Sequence, residues 1–181
     1  MKRPTEHAPA ERVPSEVLNA QITSLQGNAV LQGAAQHAPE HIALLNPQRQ
    51  IVYTNASYLA MAKNQGSDEV YGTRFGDHMG CIHAGSGEDA CGTTEACQTC
   101  GAVNAVLTSL DGKVAMQRCT LPLKAEQDPL HLIIFTIPVH MDDSTYILAA
   151  FVDDNKVIEH PHTLAEHAFA VQRLAARIEE S

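Results

Sequence analysis

Apolar positions change their spacing several times along this 181-residue chain, and each change marks an element. Val17, Leu18, Ile22 and Leu25 recur at helical spacing behind Ser15, which predicts an N-terminal helix over 15–35, weakened by Gly27 and Gly33. From His41 the period shortens. Ile42-Ala43-Leu44-Leu45, the turn Asn46-Pro47-Gln48-Arg49 and Ile51-Val52-Tyr53-Thr54 read as a β-hairpin. Asn55 is placed to cap a further helix whose apolar side is Tyr58, Leu59, Met61 and Ala62 and whose end is Gly66.

Val103, Val106, Leu107 and Leu110 form one helical stripe, closed by Gly112. Three strand candidates follow, over 114–123, 130–139 and 145–152. In the 155–181 segment Thr163 can cap a last helix. There Leu164, Val171 and Ile178 repeat every seven residues, with His167 and Leu174 at the companion positions. So short a seam must pack on something: its own sheet, or a second copy in a homodimer through the terminal helices. His160 and His162 flank a proline and read as a linker; residues 1–14 are polar and proline-rich and are expected to be disordered.

Charge narrows the function. Twelve basic against 21 acidic side chains give a net charge of -9, with no Lys/Arg-rich face, which argues against nucleic acid as a partner. A hydrophobic fraction of 44% supports one packed domain with appendages. No signal segment opens the chain and no apolar run reaches membrane-spanning length, so the expectation is a cytoplasmic protein with no membrane partner. Asn55-Ala56-Ser57 then carries no meaning as a glycosylation acceptor. A reducing compartment disfavours structural disulfides, and five cysteines, an odd number, turn attention to metal or redox chemistry.

Four of the five, Cys81, Cys91, Cys97 and Cys100, fall within twenty positions with the spacing C-x9-C-x5-C-x2-C, among glycines that let the backbone fold closely. Converging thiolates suit a soft or borderline metal, and these four are the expected metal- and cofactor-binding residues. The run Cys91-x5-Cys97-x2-Cys100 is one residue from that of plant-type ferredoxins, which favours an iron-sulfur cluster. Cys97-Gln98-Thr99-Cys100-Gly101 has the knuckle shape used by zinc, the alternative cofactor, although zinc ribbons usually bring two such knuckles. Cys119 is expected to pack in its strand, or to replace Cys81 as a distant fourth ligand. His83 and His78 are either ligands or donors behind ligands, or simply solvated loop residues.

A helix beginning near Ala102 favours negative charge on Cys97 and Cys100. That keeps open a thiol-disulfide oxidoreductase using Cys97 and Cys100, outside the βαβ setting where such a motif is strong. No Ser-His-Asp arrangement, phosphate-cradling glycine loop or HExxH stands out, and a non-enzyme is expected.

The order β-β-α, a functional middle, α, then β-β-β resembles the PAS domain family over residues of about 36 to 154. IALLNPQRQIVYTNASYLAMA is similar to the opening hairpin and first helix of that family, and STYILAAFVDD to its last strand. The cysteine block GCIHA, CGTTEACQTCGAVNAVL and VAMQRC resembles the cysteine-rich PAS sensor modules of bacterial sensor histidine kinases.

The resemblance implies an α+β fold, a five-stranded antiparallel sheet cupping a ligand pocket with helices on one face, plus N- and C-terminal helices, and a Cys-rich insert at 81–100. It implies a sensory module that relays redox or gas status. No kinase domain or nucleotide motif follows Asp154, so the output is expected in a protein partner such as a histidine kinase. The NCRFLQ phrase of flavin-binding light sensors is absent, which disfavours that subtype.

Overall fold

A computed structural model describes residues 5–84, 90–124 and 127–180. Residues 1–4 of the expected disordered tail and 85–89 of the Cys-rich insert lie outside the described residues.

Two helices, α1 (Ser15–Gly27) and α2 (Ala29–Ala35), replace the single N-terminal helix. The break is at Asn28, whose extended backbone stops α1 and whose side chain accepts from the Leu31 amide to start α2. The hairpin follows as β1 (His41–Leu45) and β2 (Ile51–Thr54). Its turn is held by the Asn46 carboxamide oxygen, which accepts from the amides of Gln48 and Gln50 at 3.1 and 2.9 Å. Asn55 caps α3 (Ala56–Asn64) by accepting from Tyr58 N at 3.0 Å, and it also accepts from Ile42 N, so the cap ties the helix to β1.

After α4 (Phe75–His78) come a 3-10 helix (Glu95–Thr99), α5 (Gly101–Leu110), β3 (Ala115–Leu121), β4 (Leu130–Met141) and β5 (Ser144–Asp153). The chain ends in α6 (Asp154–Glu159), which periodicity did not reveal, and α7 (Thr163–Glu179). The five strands form one antiparallel sheet in the order β2-β1-β5-β4-β3. This is the α+β class with a five-stranded antiparallel sheet that the resemblance implied.

Both faces of the sheet are covered, so β4 and β5 run almost continuously apolar rather than alternating. Ala43, Leu45, Ile134, Ile147, Ala149 and Phe151 point to the face bearing α3, α4 and α5. On the other, Ile42, Leu44, Phe135 and Leu148 meet the terminal helices through Leu25, Leu31, Val171, Leu174 and Ile178. The heptad stripe of α7 is thus spent on its own sheet. His167 adds a contact with the buried Glu40 at 2.8 Å.

Candidate functional site

The pocket that the sheet was expected to cup is nearly full. Phe75 stacks on Phe151 with ring centroids 4.5 Å apart, and among Leu45, Phe75, Val106, Ile134 and Phe151 only about 30 Å³ remains, room for on the order of two waters. A larger cavity of about 210 Å³ lies beside it, where α4, the 3-10 helix, the start of α5 and the end of β3 meet. Cys81, Cys91, Cys97 and Cys100 all line it, together with His83, Thr99 and Thr120.

The chain reaches this arrangement by short-range contacts around α4. Asp77 accepts from the Arg74 amide at 3.0 Å and from the Cys91 amide at 2.7 Å, so the carboxylate that closes the first turn of α4 also fixes Cys91. The Gly76 amide donates to Cys91 Sγ at 3.3 Å. Gly76 must be small: a Cβ there would stand 2.8 Å from Cys91 Sγ and 3.2 Å from Cys81 Cβ. Cys81 is anchored by its amide to the Gly76 carbonyl and by an isolated bridge to Leu123.

On the opposite wall, Cys97 is buried with Ala8 and Val103 and lies 3.3 Å from Thr94 Oγ1. Cys100 leaves the 3-10 helix in extended conformation and precedes α5. Its sulfur lies 3.9 Å from that of Cys119 on β3. Cys100 is thus turned towards the strand and meets Cys119. Cys119 is buried beside Leu121, whereas Gln117, on the same face by alternation, is exposed.

The sulfurs stand around the cavity rather than at one point: among the described residues, no three Cys, His, Asp or Glu side chains are close enough to hold a single ion. Burial pushes the Cys81 and Cys91 thiols up, and for Cys91 the negative Asp77 adds to it. Cys100 moves the other way, below the ordinary thiol range. The Cys119 S–H supports its thiolate, and the amides of Val103 and Ala102 in the first turn of α5 assist against burial. Cys119 rises correspondingly.

His78 is not a solvated loop residue. It is buried, with Nε2 at 3.0 Å from Tyr58 Oη and Nδ1 at 2.9 Å from Thr73 Oγ1, and burial brings its pKa down to about 4. Both ring nitrogens are engaged in the core, which removes it from the ligand candidates. His83, in contrast, borders the cavity.

Sequence reading also missed the frame around the thiols. Residues 5–14, expected to be disordered, run along the Cys-rich segment: the amides of Glu6 and Ala8 donate to the carbonyls of Thr93 and Gly92, and Ala8 is buried. Buried Arg74 donates to the carbonyls of Ala10 and Glu11 at 3.0 and 2.9 Å and to that of Cys91 at 3.4 Å. Arg49 donates to Pro9 O at 2.8 Å, and Arg12 pairs with Asp77 at 2.9 Å. A polar, proline-rich stretch carries no apolar period, so nothing local in it announces this docking. The partners given above for Arg49 and Arg74 are backbone carbonyls, which leave no mark in sequence.

No family model and no curated protein matches the chain. Among solved structures, the PAS domain of nitrogen regulation protein NR(II) from Vibrio parahaemolyticus is similar at 10% identity and a TM-score of 0.47, over 70% of this chain and 99% of that one. The PAS domain of an HTR-like protein from Haloarcula marismortui gives 15% and 0.44, over 68% and 93%. The PAS domain of BvgS from Bordetella pertussis gives 15% and 0.43, over 75% and 94%. All three of these solved structures are PAS domains.

Proposed function

We propose that this chain is a PAS-like sensory and signalling module that holds an iron-sulfur cluster through Cys81, Cys91, Cys97 and Cys100 and relays redox or gas status to a protein partner. The observation that carries the reading is that these four cysteines, dispersed over twenty positions, line one cavity. Its volume of about 210 Å³ is small beside the roughly 300 to 1,000 Å³ of organic-ligand sites, which favours a compact inorganic occupant. Sulfurs spread around a cavity suit a multi-atom cluster better than zinc, whose tetrahedral shell draws thiolates to one centre. Zinc in the same cavity, serving an interaction module, is the alternative.

When bound, a cluster would supply a reversible electron couple. The chain's own residues supply the rest. Asp77 and Gly76 orient Cys91, and buried Arg49 and Arg74 bring positive charge close to it. Because burial keeps Cys81 and Cys91 protonated in the metal-free protein, loading releases their protons. Residues 5–14 lie on the Cys-rich wall and lead directly into α1, which packs on the far face of the sheet. A shift of that wall reaches the terminal helices through this segment, and there a partner such as a histidine kinase would read it. A homodimer through the terminal helices would use their outer faces, where Val17, Val30 and Phe169 are exposed.

Protein purified without oxygen tests the reading. Iron and sulfide should be present, with absorbance at roughly 400 nm, and both should be lost in Cys91→Ser and Cys97→Ser. Colourless protein with one zinc per chain would replace the cluster by zinc. Neither metal, or undiminished metal in both variants, would overturn the proposal.

A further inference from the structure

We propose that Cys100 and Cys119 form a dithiol that a hydroperoxide oxidises to a disulfide, making this pair a redox modification site that shares Cys100 with the four-cysteine set and rests on a contact outside it. The two sulfurs are 3.9 Å apart, although the residues are 19 positions apart in sequence. What holds them there is Gly101. An added Cβ at Gly101 would overlap the carbonyl oxygen of Arg118 and reach 3.4 Å from the α-carbon of Cys119. The backbone just after Cys100 is therefore pressed on the backbone just before Cys119, in a contact that only glycine permits. Closing a disulfide brings these sulfurs from 3.9 Å to about 2.05 Å.

The two sulfurs differ in access. Cys100 is part-exposed and borders the cavity of about 210 Å³, whereas Cys119 is 4% exposed. An oxidant entering the cavity meets Cys100 first, and Cys119 is the resolving thiol behind it. In the first step the Cys100 thiolate attacks one oxygen of the hydroperoxide. The O–O bond breaks, an alcohol (water from hydrogen peroxide) leaves with one proton, and Cys100 becomes a sulfenic acid. In the second, the Cys119 sulfur attacks the Cys100 sulfur, the S–O bond breaks and water leaves. Two thiols give up two electrons and two protons, and the peroxide takes them. Because Cys100 also borders the cluster cavity, the disulfide withdraws one of its four thiols.

The test uses the full chain, reduced and freed of metal, treated with equimolar hydrogen peroxide, quenched by alkylation and mapped by mass spectrometry of its peptides. The expected product is a Cys100–Cys119 crosslink, reversed by dithiol reductant. In Cys119→Ser and Cys119→Ala the crosslink should be lost and Cys100 trapped as a sulfenic acid adduct by dimedone. A first disulfide joining Cys97 to Cys100, or first oxidation at another cysteine, would overturn the proposal. Metal bound by anaerobic Cys119→Ser is read separately. Its loss would count against the ligand set proposed above, while the crosslink in metal-free protein would stand or fall alone.

Discussion

Gly101 packs on the peptide carbonyl of Arg118, so that the first residue of α5 and the middle of β3 touch backbone to backbone. Gly101→Ala should destabilise the fold by on the order of 3 kcal/mol, because the overlapping atom belongs to a sheet strand and cannot swing aside. The small gain in helix propensity does not offset this. Urea unfolding of the two proteins measures it, and equal midpoints would show that α5 can lift without cost. The same variant should slow formation of the Cys100–Cys119 crosslink.

Gly76 has a different neighbour. A methyl group there meets Cys91 Sγ and Cys81 Cβ, so Gly76→Ala should push two wall cysteines apart and remove a ligand position. We expect a loss of roughly 1 to 3 kcal/mol of stability, together with weaker metal retention during dialysis against a chelator. Metal retention equal to that of the unaltered chain would show that Cys91 is not a ligand.

His78 makes stability fall in mild acid. Its pKa is about 4 in the fold because of burial, against an ordinary 6.5. The unfolded chain therefore takes up a proton below 6.5, while the folded chain stays neutral until about 4. The stabilisation is complete above pH 6.5 and is lost as pH falls towards 4, by up to about 3 kcal/mol. His41, also lowered by burial, adds in the same sense. Denaturant unfolding at pH 7 and pH 5 should show a shallower pH dependence in His78→Gln than in the unaltered chain.

On α7 the two sides of the helix should answer differently. Leu174 is 6% exposed in the core against β4, whereas Phe169 is 62% exposed. Leu174→Ala should cost about 2 to 5 kcal/mol, and Phe169→Ala within about 0.5 kcal/mol. Thermal unfolding separates them. A mild Leu174→Ala would mean that the helix docks loosely and its seam is free for a second copy. Sedimentation of Phe169→Ala asks whether the outer face mediates pairing.

Much of this protein is written locally. The hairpin with its Asn46 turn, the Asn55 cap, the stripe of α5 and the three closing strands each lie in a few consecutive residues, because caps, turns and periods act over four to seven positions. The candidate thiols were legible for the same reason, as a cluster in sequence. Three things were settled only by the packed chain. The α7 stripe looks alike whether it covers a sheet or a twin helix, and the uncovered face of β4 and β5 decided for the sheet. Residues 5–14 are held by backbone carbonyls meeting Arg49 and Arg74, groups that every sequence contains. The contact of Cys100 with Cys119 was decided by Gly101 letting α5 settle on β3, which brought in a cysteine from 19 positions away. Local spacing says which groups are available, and which of them meet depends on how closely two backbones can approach.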